Sequence, residues 1–317
     1  MKARMAAITL AAALAAGLAV AQQRDWNAVE IKSEPVRGSV HMLSTNVGGN
    51  IGVSVGPDGI LIIDDQFAQL AEKIRASLKA LNPGKLKFIV NTHYHGDHTG
   101  ANPSFGADTT IIAHTNVRER LRAGNPARNT PPMAKEGWPV ITFDQSVSVH
   151  FNGEEIKAIH FPKGHTDGDS VIFFTGSNVV HMGDDYFAGR FPFVDLDSGG
   201  SVEGLTNNIA GLIQKIPADA KIIPGHGPLS TLDDLKTYHT MLLETTEHVR
   251  QQMKAGKTLE QIKAAGVPEK YKSWAWGFIS EARWTEIVHR SLSGEQQLRG
   301  RMEVPPGKSG HGHPHPH

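Results

Sequence analysis

Phe88-Ile89-Val90-Asn91-Thr92-His93-Tyr94-His95-Gly96-Asp97-His98, residues 88–98, is the stretch whose reading decides the fold. The apolar run at its start predicts a strand over Phe88–Asn91 that delivers the rest to a loop. Three imidazoles and one carboxylate then fall within residues 93–98. His93 and His95 point one way, while Asp97 and His98 turn toward a neighbouring point. Imidazole with carboxylate suits zinc, and also iron or manganese. The chemistry implied is a metal-activated water attacking an electrophile. A polar turn that is merely rich in histidine is the plain alternative, and the rest of the chain argues against it.

Further candidate ligands follow in order. His165 lies in Gly164-His165-Thr166-Asp167-Gly168-Asp169, before the strand-like Val171-Ile172-Phe173-Phe174. Asp184 lies in His181-Met182-Gly183-Asp184-Asp185, after Val179-Val180. His226 lies in Pro224-Gly225-His226-Gly227, after Ile222-Ile223. Each sits beside a short apolar run and next to glycine, as a ligand loop on a rigid strand requires. Any one alone reads as structural; the four loops together read as one centre.

On these motifs the chain resembles the metallo-β-lactamase superfamily of hydrolases, from about His41 to Gly227. The family pattern is HxHxDH, then a separate His, a bridging Asp, and a final His in a Gly-His-Gly turn. The resemblance implies that His93, His95 and His165 hold one metal and that Asp97, His98 and His226 hold a second. It implies two zinc ions per chain, bridged by Asp184 and by a hydroxide that attacks a carbonyl, with Asp97 orienting the nucleophile and passing on a proton. Asp64 or Asp65, ending Ile60-Leu61-Ile62-Ile63, matches an acidic residue that supports the site by accepting the other N–H of an imidazole. The chain has no cysteine, so the lactamase branch with cysteine at the second metal does not apply. The Gly-Asp-Asp at residues 183–185 is closer to thioesterase, lactonase and nuclease relatives, which bridge with aspartate.

The chain has 317 residues and a formal net charge of +0, with a sequence pI near 7.3. Balanced charge argues against a broad nucleic-acid surface. Lys2 and Arg4, the apolar Met5–Val20 and the small-x-small site Ala19-Val20-Ala21 predict a signal peptide over residues 1–21. Its removal takes two cations and shifts the formal charge from +0 to −2. Export without cysteine implies a fold indifferent to redox. The expected location is the periplasm, or outside the cell, with no membrane attachment after cleavage.

Strands are predicted at Val40–Ser44, Ile51–Val55 and Ile60–Ile63, the last two joined by Gly56-Pro57-Asp58-Gly59. The preceding residues read as a polar lead. Phe67, Leu70, Ile74, Leu78 and Leu81 predict a helix over Gln66–Leu81, stopped by Asn82-Pro83-Gly84. Ile111–Ala113 reads as strand, Asn116–Arg122 as helix, and Gly124–Gly137 as a surface loop that overhangs the site. Strands dominate from Val140 to His181. This alternation implies an α/β layered fold. The resemblance makes it a four-layer αββα sandwich over residues 30–229.

Residues 230–303 read as a C-terminal helical extension. Thr231-Leu232-Asp233-Asp234 and Thr258-Leu259-Glu260-Gln261 look like capped helix starts. Trp274, Trp276, Phe278 and Trp284 form an aromatic cluster expected to pack the extension onto the main domain. Residues 304–317, ending His311-Gly312-His313-Pro314-His315-Pro316-His317, read as a disordered tail able to collect metal.

Tyr186, Phe187, Arg190, Phe191 and Phe193 follow the bridging aspartate and are expected to form one pocket wall. Asp195-Leu196-Asp197-Ser198-Gly199-Gly200 is a polar loop beside it. Tyr186, Arg190 and Lys163 are the candidate substrate contacts, with Arg190 or Lys163 pairing with a substrate carboxylate. A small-molecule ester, thioester, lactone or β-lactam is the expected substrate. A β-lactamase proper, an iron-dependent redox relative and a non-catalytic zinc-buffering protein are the competing readings. The sequence does not set the oligomeric state.

Overall fold

A computed structural model describes residues 24–294. The expected signal peptide at 1–21 and the tail at 304–317 lie outside the described residues. In the first sheet β1 (Lys32–Arg37), β2 (Val40–Ser44), β3 (Ile51–Gly56), β4 (Gly59–Ile63), β5 (Leu86–Val90), β6 (Thr110–His114) and β7 (Ile141–Phe143) lie side by side in chain order. Pairing is antiparallel up to β4 and parallel from β4 to β7. The Gly56–Gly59 turn closes the β3–β4 hairpin. Parallel neighbours need crossovers. These are α1 (Ala71–Leu81), then α2 (Gly96–Thr99) with α3 (Asn102–Phe105), then α4 (Thr115–Ala123).

The second sheet holds β8 (Ser146–Phe151), β9 (Glu154–His160), β10 (Ser170–Phe174), β11 (Val179–His181) and β12 (Lys221–Ile223), in the order β12-β11-β10-β9-β8. The helix α5 (Val202–Lys215) crosses from β11 to its parallel neighbour β12. Three helices follow: α6 (Leu232–Lys254), α7 (Leu259–Ala265) and α8 (Glu281–Leu292).

The four layers follow from which strand faces are apolar. Every side chain of Ile60-Leu61-Ile62-Ile63 is buried, because both faces of β4 are covered. Leu61 and Ile63 pack between the sheets with Val90, Ile112, Ile172 and Val179. Ile60 and Ile62 pack on the other face with Ile74 and Leu78 of α1. The outer face of the second sheet buries Val171, Val180 and Ile222 against α5, α6 and α8. The layers are therefore helix, sheet, sheet, helix, and the C-terminal helices share the core of the second half.

Both capped starts form: Thr231 with Asp234 and Thr258 with Gln261 each make a reciprocal capping box. The predicted helix over Gln66–Leu81 starts late, with a 3-10 turn at Ala68–Leu70 and α-helix only from Ala71. Gln66 is left-handed (φ 60°) because its side chain turns back to donate to the Gly49 carbonyl. The polar lead contains a strand, β1, which the pattern did not announce. As an exposed edge strand it tolerates Pro35 and polar side chains on both faces. No helix among the described residues is long and apolar enough to cross a membrane.

Candidate metal centre

Three strand ends and two turns converge at one rim of the sandwich. After β5 the chain bends through Thr92, His93 and Tyr94, and His95 is the residue before the first turn of α2. That single helical turn carries Asp97 and His98 to the His226 side of the centre, with the His98 ring still 4.2 Å from that of His93. Thr92 fixes the approach: its N–H and its hydroxyl each donate to the Asp64 carboxylate at 2.7 Å. Asp64 itself sits left-handed (φ 65°) at the end of β4. A non-glycine residue there costs of order 1 kcal/mol or more and persists where its surroundings hold it. Three donors hold this one, the third being His98 Nδ1 at 2.7 Å.

The imidazoles of His93, His95, His98 and His165 are tied on their outer sides. His93 Nδ1 lies 3.0 Å from the Thr92 hydroxyl. His165 Nδ1 donates to the Phe193 carbonyl at 2.6 Å. His95 uses its other nitrogen, donating from Nε2 to Asp195 at 3.0 Å. The inward atoms are then lone pairs that face each other. His165 Nε2 and His95 Nδ1 are 2.9 Å apart, and His98 Nε2 and His226 Nε2 are 3.5 Å apart. His93 Nε2 and Asp184 Oδ1 are buried without a hydrogen-bond partner. Burial holds His93 and His165 below the ordinary histidine pKa, which keeps their lone pairs free.

Asp184 stands between the two sets. Its Oδ2 lies 3.8 Å from His93 Nε2 and 3.5 Å from His165 Nε2. Its Oδ1 lies 3.0 Å from His98 Nε2 and 3.4 Å from His226 Nε2. Asp97 Oδ2 completes the second set, 3.3 Å from His226 Nε2. The donor atoms of His93, His95, His165 and Asp184 lie within 4.8 Å of one another, as do those of Asp97, His98 and His226. Burial opposes charge on His226, yet Asp184 and Asp97 outweigh it and raise its pKa to about 9. His98 is raised by the same carboxylates and Asp64 against the same burial. Unshared lone pairs that converge, beside carboxylates that draw positive charge, fit a divalent cation at each set.

Glycine serves the centre by closeness as well as by turning. A Cβ on Gly225 would strike the Asp184 carboxylate and the Gly183 backbone. Gly227, at φ 105°, supplies the sharp turn.

All seven predicted ligand residues are thus brought together. Of the two acidic candidates, Asp64 holds an imidazole, whereas Asp65 accepts from the Ala101 N–H and anchors the backbone after α2. The substrate candidates divide. Arg190 lines the cleft over the centre. Tyr186 does not: it is buried, donates to Ser230 at 3.2 Å and packs on Tyr238. Phe191 is likewise buried, stacked on Trp284. Lys163 is exposed and left-handed (φ 55°), away from the residues lining the cleft.

Sequence reasoning missed Asp195. It is fully buried and accepts from Tyr94, from His95 and twice from Arg128, at 2.7 and 3.0 Å. Burial would raise its pKa, but His95 and Arg128 hold it far below the usual carboxylate range. Its local sequence looks like an ordinary polar turn. Only the long-range approach of Arg128, from the 124–137 loop, marks it. The aromatic cluster also splits. Trp284 packs in the core, but Trp276 and Phe278 line the cleft.

The profile of the metallo-beta-lactamase superfamily matches residues 46–260. The chain belongs to this superfamily. Among curated relatives, the 2,4-dinitroanisole O-demethylase subunit alpha of Nocardioides sp. is 27% identical over 160 residues, 50% of this chain and 47% of that protein. The hydroxyacylglutathione hydrolase of Nitrosococcus oceani is 28% identical over 149 residues, 46% of this chain and 50% of that protein. The chain therefore spans about half the length of these relatives. Among solved structures, a metallo-beta-lactamase from Pontibacter korlensis superposes with a TM-score of 0.58 at 16% identity, over 68% of this chain and 99% of that one. At that identity the likeness speaks for the fold.

Proposed function

We propose that this chain is an exported hydrolase that binds two zinc ions and cleaves a carbonyl compound: an ester, thioester, lactone or β-lactam. The observation that carries the reading is the position of Asp184, with one oxygen toward each set of inward-facing nitrogens. His93, His95 and His165 would hold one ion, Asp97, His98 and His226 the other, and Asp184, placed between the two sets, would serve both. The similarity to a hydroxyacylglutathione hydrolase supports a hydrolytic reaction. Two metals in such a site supply Lewis-acid polarisation of a carbonyl and lower the pKa of a water to near neutrality.

The chain's own residues do the rest. Asp97 is the most accessible of the seven, with 26% of its side chain exposed. It faces the cleft, where its carboxylate accepts a hydrogen bond from the nucleophile, orients it, and passes a proton on to the leaving group. Its pKa of about 2 follows from His98 and His226, which overcome the effect of burial, so it is ionised at neutral pH. Asp64 and Asp195 keep two imidazoles in the tautomers that present lone pairs inward. Phe187 stacks on His226 (4.9 Å, 16°), and Phe193 packs beside His95 and His165 at 5.9 Å, so apolar walls exclude bulk water there.

The test is metal content by elemental mass spectrometry together with a hydrolysis panel of nitrocefin, aryl esters, lactones and thioesters. Two zinc ions per chain with turnover of one class is the expected result. One iron per chain, or two metals with no hydrolysis, refutes the reading.

A further inference from the structure

The cleft above the centre measures about 2080 Å³, against roughly 300–1,000 Å³ for a cavity fitted to one small molecule. It therefore has room for much more than the scissile bond. Three of the cations that line it are already engaged. Arg128 pairs with Asp195 and Asp197, Arg290 with Asp197, and Lys263 with Glu260 and Glu286. Arg190 and Arg283, like Arg24 and Lys32, have no acidic partner among the described residues, and of these four they are the two that meet the aromatic residues beside the centre.

Both arginines sit instead over aromatic rings. The guanidinium carbon of Arg190 lies 5.2 Å from the Trp276 ring centroid. That of Arg283 lies 4.3 Å from Phe278 and 5.5 Å from Phe193. The rings form a continuous wall. Phe187, stacked on His226, is 6.2 Å from Trp276; Trp276 is 5.7 Å from Phe278; Phe278 is 5.5 Å from Phe193, which flanks His95 and His165. From each half of the centre a row of rings thus leads out to a guanidinium without an acidic partner among the described residues; Arg283 spends one N–H on the Phe278 carbonyl at 3.0 Å and keeps the others. Phe278 is 47% exposed and continues the apolar surface of Trp276 and Phe193 rather than standing alone.

We propose that Trp276 and Phe278, with Arg190 and Arg283, recognise the non-reacting part of the substrate, and that this part is an aromatic or flat apolar body ending in a carboxylate or similar anion. The proposal rests on the cleft being the substrate site of a hydrolase. Flat rings stack on the wall, and a guanidinium fixed over a ring presents its fork of N–H donors to a carboxylate.

The experiment is calorimetric binding of two probes to the full-length protein: 4-phenylbutyrate and its neutral amide, 4-phenylbutanamide. The carboxylate is expected to bind about tenfold more tightly, the range of one charge-assisted bidentate pair. The double variant Arg190→Gln/Arg283→Gln removes that preference, and Trp276→Ala weakens both probes alike. Arg190→Lys, which keeps the charge and disturbs packing least, retains part of the preference and guards against misfolding. A wild-type protein without carboxylate preference overturns the proposal. So does a double variant that keeps the preference, because the anion is then held elsewhere, for example by a metal. Binding is read without turnover. A protein that shows the preference but hydrolyses nothing fails only as a hydrolase, and one that hydrolyses neutral and anionic esters alike fails only here.

Discussion

Asp195 shows how much of this centre is decided one residue outside the donor atoms. Its carboxylate fixes His95 through Nε2 and is itself clamped by Arg128. Carboxylates that orient a ligating imidazole change metal affinity by about 10- to 100-fold when removed. Asp195→Asn is expected to speed zinc release to a chelator by that order, and Arg128→Met to do so by less, since Tyr94 still donates to Asp195. Unchanged release in both variants would show that His95 holds its orientation unaided. His93→Ala and Asp97→Ala should abolish turnover while circular dichroism stays that of the wild type; undiminished rate per bound metal refutes their roles. His181 makes a separate prediction. It is fully buried as a neutral ring, donating from Nε2 to the Asn50 carbonyl and accepting at Nδ1 from the Gly183 N–H. Burial lowers its pKa to about 4, so between that value and about 6.5 the unfolded chain binds the proton and the folded chain does not. Stability therefore falls as pH drops through this window, by up to about 3 kcal/mol from this residue. Urea unfolding at pH 7 and pH 5 should show a steeper loss for the wild type than for His181→Gln.

At the scale of elements, the glycines separate by what lies beside them. Gly225→Ala drives a methyl group into Asp184 and the Gly183 backbone, so metal retention should fall sharply. Gly211, inside α5, has nothing within 4 Å of the added Cβ, and Gly211→Ala should stabilise by about 0.5–1 kcal/mol in thermal melts. The reverse order would show that backbone relaxation, not contact, governs both sites. The ligand loops were legible because each combines strong local signals: an apolar run, a glycine and a donor side chain. Helices α6 and α7 were legible from their capping boxes. What was not legible depends on partners far along the chain. The left-handed Gln66 that delays α1 answers to Gly49, and β1 exists because β2 offers an edge. Tyr186 was misplaced toward the cleft, since alternation after Asp184 does not reveal that the 3-10 turn at Gly183–Asp185 rotates it into the core.

Across the whole molecule the two halves are joined by the core between the sheets and by the centre at its rim. Trp284 stacks on Phe191 (5.7 Å, 10°) and donates to Thr245, so α8, α6 and the loop after Asp184 share one core. Trp284→Ala should cost about 3–5 kcal/mol and lower the unfolding midpoint of the whole protein in a single transition. Two transitions would show that the C-terminal helices unfold alone. Metal removal acts at this scale too. At a hundredfold excess over Kd a ligand of the native state adds about 2.7 kcal/mol, so a chelator should lower the melting temperature, and added zinc should restore it. The four layers followed from the family resemblance and not from periodicity, which reaches only an α/β layered fold. That the cleft is walled by rings from the C-terminal helical region did not, because a Trp-rich stretch looks the same whether it meets a core or a cavity.

The clamp of Arg128 on Asp195 ties the surface loop at 124–137 to the half-buried imidazole of His95 through a single carboxylate. A loop so tethered is not an independent door. Any swing wide enough to admit a bulky reactant must first let go of the group that steadies His95. Ease of entry and grip on the metal are therefore set by the same contact. Variants selected for faster exchange of large reactants at this loop would become the ones most easily poisoned by chelators, and those bred for chelator resistance would become the slowest to turn over.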